Sequence, residues 1–231
     1  MLFRSPRRRP FTFATLGFAL RKHRKFLYFS LPGETMNTMT VLAPQFLFAQ
    51  VFGLAAGGQM AQTNRILLTP SKLIGGAIME VFYRTALTDK SEAGSQALLW
   101  RYLSTAGLNA AIGIPLFTIL YVYAEELIPF VFGKDWVELG VYVRVLAPAI
   151  CVMFIFGPLT NLHYVLGTQV VDMLANMIFL LGIFLSVWWA QSPIEALTYM
   201  SYVIIVSIIG NNAVILFSVL KLNLAGRKTC A

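Results

Sequence analysis

Long apolar runs separated by short polar, charge-bearing segments dominate this chain. A helix needs about 20 mostly apolar residues to cross roughly 30 Å of hydrocarbon, and six stretches qualify: 35–54, 66–83, 106–123, 139–157, 173–190 and 196–220. The last two, MLANMIFLLGIFLSVWWA and ALTYMSYVIIVSIIGNNAVILFSVL, are the clearest, and TMNTMTVLAPQFLFAQVFGL is the most polar. Of the 28 Asp, Glu, Lys and Arg residues only Lys72, Glu80 and Arg144 fall inside these spans. The pattern predicts an all-α membrane protein, a bundle of about six transmembrane helices at 31–220. A basic cytoplasmic or interfacial leader precedes it at 1–30, and a short basic cytoplasmic tail follows at 221–231.

Composition agrees. The chain is 58% hydrophobic and only 12% charged, with a mean hydropathy of +0.71. Soluble domains average roughly 45–50% apolar and about 25% charged residues, so a bilayer is the expected solvent. The net charge of +8 lies in short clusters between apolar runs. Nucleic-acid binders instead spread basic charge over an exposed face, so no nucleic-acid partner is expected.

Those clusters set an orientation. Six spans place the N-terminal segment, the loop after span two and the C-terminal tail on one side, with fourteen of the 18 basic residues. The opposite loops hold Arg65 and Lys134 beside Glu125, Glu126, Asp135, Glu138 and Glu195. By the positive-inside rule both termini are cytoplasmic. The leader includes an apolar run, FTFATLGFAL, followed by RKHRK instead of a small-residue cleavage site. It reads as a cytoplasmic or interfacial leader, with an uncleaved short anchor or the scar of an altered start site as alternatives. Cys151, inside an apolar run, reads as core packing and Cys230 as a free tail thiol.

Some features go beyond span counting. Pro44, Pro70, Pro115 and Pro148 interrupt four consecutive spans, each removing a backbone hydrogen bond and kinking its helix. Transporters use broken helices for gating, although proline is also commoner in membrane helices generally. Lys72 and Arg144 lie about 9 and 7 Å into their spans by helical rise. Such ions face a bundle interior or a cavity, or they snorkel to the interface; for Arg65, seven residues before Lys72 on the same face, snorkelling is favoured. Glu34, Thr38 and Gln45 form a polar stripe on span one, suited to lining a cavity or to bonding a neighbouring helix. Finally, Phe52-Gly53 is followed by Arg65 and Pro70 much as Phe132-Gly133 is followed by Arg144 and Pro148, an internal echo consistent with two similarly built hairpins.

Enzyme chemistry is not visible. No G-x-S-x-G, phosphate-binding loop, H-E-x-x-H or Cys/His ligand spacing occurs, so neither a metal nor a cofactor is expected. His23 sits in a basic cluster and His163 in a short cytoplasmic loop, neither with a visible partner. Glu125-Glu126 reads as a solvated loop edge, and adjacent residues on a helix diverge too far for an acid/base pair.

The stretches RKFLYFSLPGETMN, FLFAQVFG and NRILLTPSKLIGGAIMEVFY, then FGKDWVELGVYVRVLAPAICVMFIFGPL, carry a resemblance. Their order is similar to the C-terminal half of polysaccharide flippases, the O-antigen and exopolysaccharide translocases of the multidrug/oligosaccharidyl-lipid/polysaccharide exporter superfamily. The matching positions are Leu31, Pro32, Phe52, Gly53, Asn64, Arg65, Pro70, Leu73, Ile74, Gly75, Ala77, Val81 and Phe82. A second block supplies Phe132, Gly133, Trp136, Gly140, Tyr142, Leu146, Pro148, Gly157 and Pro158.

The resemblance covers roughly residues 22–220 and implies one lobe of a two-lobe transporter, since the family has twelve to fourteen spans. The chain departs from the family in the stretch HYVLGTQVVDM after Pro158 and in Gln59 after Gly57-Gly58. The implied activity is movement of a polyprenyl-pyrophosphate-linked oligosaccharide across the bacterial inner membrane, with a second lobe or self-association completing the transporter. An anionic lipid-linked substrate calls for buried cations, which makes Lys72, Arg144 and Arg65 the candidate substrate-binding residues, with Thr38 and Gln45 as sugar-facing groups. The competing reading is a non-transporting membrane subunit paired with a glycan polymerase or ligase. Export of a cationic drug is disfavoured, because the spans contain one acid, Glu80.

Overall fold

The computed structural model describes residues 31–88 and 94–229, so the leader lies outside the described residues. Six long helices form the bundle: α1 (Leu31–Val51), α2 (Leu54–Thr88), α3 (Gly94–Phe132), α4 (Val137–Phe156), α6 (Gln169–Trp189) and α7 (Pro193–Thr229). A one-turn helix, α5 (Leu162–Leu166), and 3-10 turns at Lys134–Trp136 and Gly157–Asn161 complete the connections. No strand occurs among the described residues.

Five helical segments are long and apolar enough to cross a bilayer, and α1 adds a shorter apolar stretch over Thr38–Val51. Among the described residues this is an all-α, multi-pass membrane bundle of about six helices. Its surface is what a lipid solvent permits: Phe130 is 88% exposed, Leu54 86% and Trp189 74%. Water would disfavour such apolar exposure by about 25 cal/mol per Å².

α4 is the hub. In its apolar segment 56% of residues are buried, against 22–28% in the other four, because it packs on α2, α3 and α7 while α1 packs on α2 and α6. Leu139, Val143, Leu146, Ala147 and Ile150 carry its inward faces. Cys151 packs against this core, as its apolar setting predicts.

Small residues set the closest contacts. A Cβ on Gly140 of α4 would stand 2.8 Å from Glu125 Cα and 3.0 Å from Ala124 O of α3. In lipid, where water gives no driving force between helices, such close backbone approach is a principal source of association. Interhelical hydrogen bonds supply the rest: Tyr102 donates to Asn212 Oδ1 at 3.0 Å, Asn64 Nδ2 to Val41 O at 3.2 Å and Asn109 Nδ2 to Ile155 O at 3.0 Å.

The internal echo is present in the backbone. Gly53 ends the α1–α2 hairpin with φ +95°, and Gly133 ends the α3–α4 hairpin with φ +96°. A side chain is strained in that region, which explains why both hairpins turn at a Phe-Gly pair. The turn into α7 is built differently. Ser192, Pro193 and Glu195 form a helix start in which Glu195 N–H donates to Ser192 Oγ at 3.3 Å and its carboxylate accepts from Gln191 N–H at 2.9 Å.

Hydropathy finds the spans but underestimates the helices, since α2 and α3 run 35 and 39 residues. Pro44, Pro70, Pro115 and Pro148 all lie inside continuous helices. The break falls instead at Gly157-Pro158, where α4 passes into a 3-10 turn.

Candidate functional site

The break at Gly157-Pro158 opens space. Opposite it, α2 presents Gly75 and Gly76 one turn from Lys72, and Gly75 faces the Pro158 ring, to which a Cβ would stand 3.6 Å. Glycines on one helix and an interrupted turn on the other leave a cavity of about 340 Å³ between α2, α4, α6 and α7. That is at the small end of the range for ligand pockets, about 300–1,000 Å³. Leu68, Ile150, Phe154, Phe179 and Ile208 form an apolar wall. Ser71, Lys72, Thr160, Asn161, Tyr164, Asp172, Asn176 and Asn211 supply polar groups around it.

Lys72 is the cation of this cavity. Among the described residues no carboxylate oxygen lies within 4.0 Å of its ammonium. Twelve residues separate it from Arg84 along α2, or about 18 Å of helix.

The opposite wall is held from behind. His163 is 1% exposed in α5. Its Nε2 lies 2.9 Å from Asn211 Oδ1 and its Nδ1 2.7 Å from Thr168 Oγ1. An amide oxygen only accepts, so Nε2 carries a proton and donates to it. Asn211 Nδ2 in turn donates to Asp172 Oδ1 at 3.3 Å. The chain of bonds orients the Asn211 amide and directs a donor at the Asp172 carboxylate. Thr168 follows Gly167, whose φ of +79° closes the turn that brings the hydroxyl back to the ring.

The candidates named from sequence separate. Lys72 lines the cavity, whereas Arg144, Arg65, Thr38 and Gln45 do not. Arg144 forms an ion pair with Glu125 at 2.6 Å, the side chains being 48% and 46% exposed, and lies over the Tyr121 ring at 5.6 Å. Arg65 and Thr38 are exposed and Gln45 half-buried. Two readings are corrected. Glu125 is not a solvated loop residue but an interhelical ion partner, because α3 continues to Phe132. His163 is not a partnerless loop residue, since the 157–168 connection folds into the bundle and buries it.

Sequence reading passed over Asp172, Asn176 and Asn211, which lie within or beside spans five and six. Gln45 is the one uncharged amide among the sequence candidates, although every intramembrane amide needs a partner. Among the described residues no three His, Cys, Asp or Glu side chains converge on a metal-binding geometry.

The fold and cavity define a polytopic α-helical membrane protein with a polar chamber among its described helices. The family of polysaccharide biosynthesis proteins matches residues 10–140, more than half of the 231, and the chain belongs to that family. No curated protein and no solved structure matches it. The matched segment includes Lys72 and ends within the first turn of α4, so Asp172, Asn176 and Asn211 lie outside it.

Proposed function

We propose that this chain is one lobe of a flippase that moves a polyprenyl-pyrophosphate-linked oligosaccharide across the bacterial inner membrane for surface polysaccharide synthesis, by alternating access and without covalent chemistry. The observation that carries the reading is Lys72: a cation well inside a spanning helix, facing a polar cavity, with no carboxylate oxygen within 4.0 Å among the described residues, Asp172 standing elsewhere in the lining. Intramembrane ions are costly and mark substrate pathways. A pyrophosphate would supply the missing counter-charge, and Asn161, Asn176 and Asn211 offer donors and acceptors for sugar hydroxyls.

Arg144 and Arg65 move to supporting positions in this reading, since Arg144 already has a partner and neither reaches the cavity. Membership of the polysaccharide biosynthesis family supports the substrate class. The basic segments would face the cytoplasm with both termini there, and a second lobe or second copy would close the path.

A strain dependent on this chain for surface polysaccharide would test it. Lys72→Gln should abolish polymer export at normal protein abundance, and Lys72→Arg should restore part of it. Full export with Lys72→Gln would refute the proposal.

A further inference from the structure

A second, separate opening lies between α2 and α3 on the outside of the bundle. It encloses about 490 Å³ and is bounded by Ala77, Ile78, Val81 and Phe82 on one side and Arg101, Ser104, Thr105 and Leu108 on the other, with Thr85 at its end. Two long antiparallel helices that touch little along their length leave it open, and the small side chains of Ala77, Ser104 and Thr105 do not fill it.

The groove is graded along its length. α2 and α3 run in opposite directions, so Thr85 and Arg101 share one end and Ala77 and Leu108 the other. Seven residues from Arg101 to Leu108 make about 10 Å of helix. Over that distance the lining passes from a guanidinium and hydroxyls to exposed aliphatic side chains, with Val81 65% and Leu108 52% exposed.

The depth is set by charge. Residues 102–124 of α3 contain no Asp, Glu, Lys or Arg, and Arg101 is the first charge at the end of that run. Twenty-three residues span about 34 Å, close to the hydrocarbon thickness of roughly 30 Å. Arg101 therefore stands at headgroup level, and the aliphatic part of the groove lies among the upper acyl carbons. Beside it, Arg84 is paired to Glu80 at 2.5 Å on the exposed face of α2.

We propose that this groove is a binding site for one anionic glycerophospholipid, its phosphate on Arg101 with the Thr85 and Ser104 hydroxyls nearby, and one acyl chain along Ala77, Val81 and Leu108. A guanidinium matches a phosphate in charge and in donor geometry, and the basic end of a membrane protein faces the leaflet richer in anionic lipid. The site is distinct from the Lys72 cavity and does not depend on what that cavity transports.

Native mass spectrometry of the full chain in a delipidating detergent provides the test, with palmitoyl-oleoyl phosphatidylglycerol and the phosphatidylcholine of identical chains as probes. One phosphatidylglycerol should bind preferentially. Arg101→Gln should weaken it about tenfold and bring it level with phosphatidylcholine. Ala77→Phe, which fills the groove and keeps the charge, should weaken both lipids. Equal binding of the two lipids to the wild-type chain, or unchanged phosphatidylglycerol binding in both variants, would overturn the proposal. So would a change of oligomeric mass in Ala77→Phe with lipid binding intact, because the groove would then seat a second copy. Tighter binding of undecaprenyl phosphate that displaces phosphatidylglycerol from the wild-type chain would also overturn it, by giving the groove to an isoprenoid lipid.

Discussion

Replacing Gly140 by alanine puts one methyl group into a backbone-on-backbone contact of the hub. Its Cβ would stand 2.8 Å from Glu125 Cα, 3.0 Å from Ala124 O and 3.3 Å from Ala124 C. Carbon atoms prefer about 3.5–4.0 Å, so α3 and α4 must separate by several tenths of an ångström or more. All three obstructing atoms belong to the backbone, so no side-chain rotation relieves them. Overpacking of this kind costs about 1–3 kcal/mol. The Arg144–Glu125 pair bridges the same two helices and would loosen with them.

Gly210 supplies the matched control. It is an exposed helical glycine in α7 with nothing within 4 Å of a built Cβ, so alanine there removes only glycine's conformational penalty, a gain of about 0.5–1 kcal/mol. The two substitutions are chemically identical and opposite in sign. For chains of this size each kcal/mol moves the melting point by about 2–4 °C. Thermal unfolding in one detergent, followed by loss of the monodisperse peak, should place Gly140→Ala several degrees below wild type and Gly210→Ala at or slightly above it. Equal melting of the two variants would refute the claim that backbone contact at Gly140 holds the hub together.

Two further outcomes follow from the same geometry. Gly53→Ala and Gly133→Ala each force a side chain into a positive-φ turn, and each should cost about 1–2 kcal/mol; a loss at only one of them in the same melting assay would show that the hairpins do not share a turn. His163→Ala removes the donor to Asn211 and the partner of Thr168 and should destabilise by about 1–3 kcal/mol, with wild-type melting as the contrary result.

The bundle was legible because lipid solvent leaves a plain signature: spans five and six are apolar almost throughout, and α6 and α7 cover them. Helix ends were less legible, since hydropathy reports where a helix needs lipid and not where its hydrogen bonds stop. The Phe-Gly echo marked two turns because only glycine adopts that backbone cheaply. The cavity was half legible. Lys72 announced itself as a charge in an apolar run, but Arg144 gave the same signal and has an ion partner on another helix. The Asp172–Asn211–His163 chain joins residues 39 and 48 positions apart, a proximity that no local pattern encodes.

The different fates of Lys72 and Arg144 follow from depth. Arg101 on α3 and Lys221 on α7 each end a charge-free run, at 102–124 and 196–220, and Glu125 and Glu195 begin the charges at the other ends. These four residues bracket about 34–38 Å of helix, the thickness of the hydrocarbon with a narrow margin. Glu125, and with it Arg144, falls at the boundary away from the basic end, where an exposed ion pair meets headgroups and water. Exposed Trp188 and Trp189 lie beside the Ala190–Ser192 turn that leads to Glu195 at that same boundary, as interfacial aromatics do. Asn211 lies ten residues before Lys221, about 15 Å inside the basic boundary, and Lys72 about 18 Å from Arg84 at that boundary. Two helices thus place the cavity independently at a similar depth, near the middle of the bilayer. Lys72 is exposed at this depth, beyond reach of the headgroups, so its charge must be stabilised by the polar groups around the chamber, by water within it or by a ligand. The short turn at Gly157–Asn161 is tolerable at this depth because Leu159, Leu162 and Val165 bury the connection inside the protein, which is where irregular backbone can exist within a membrane.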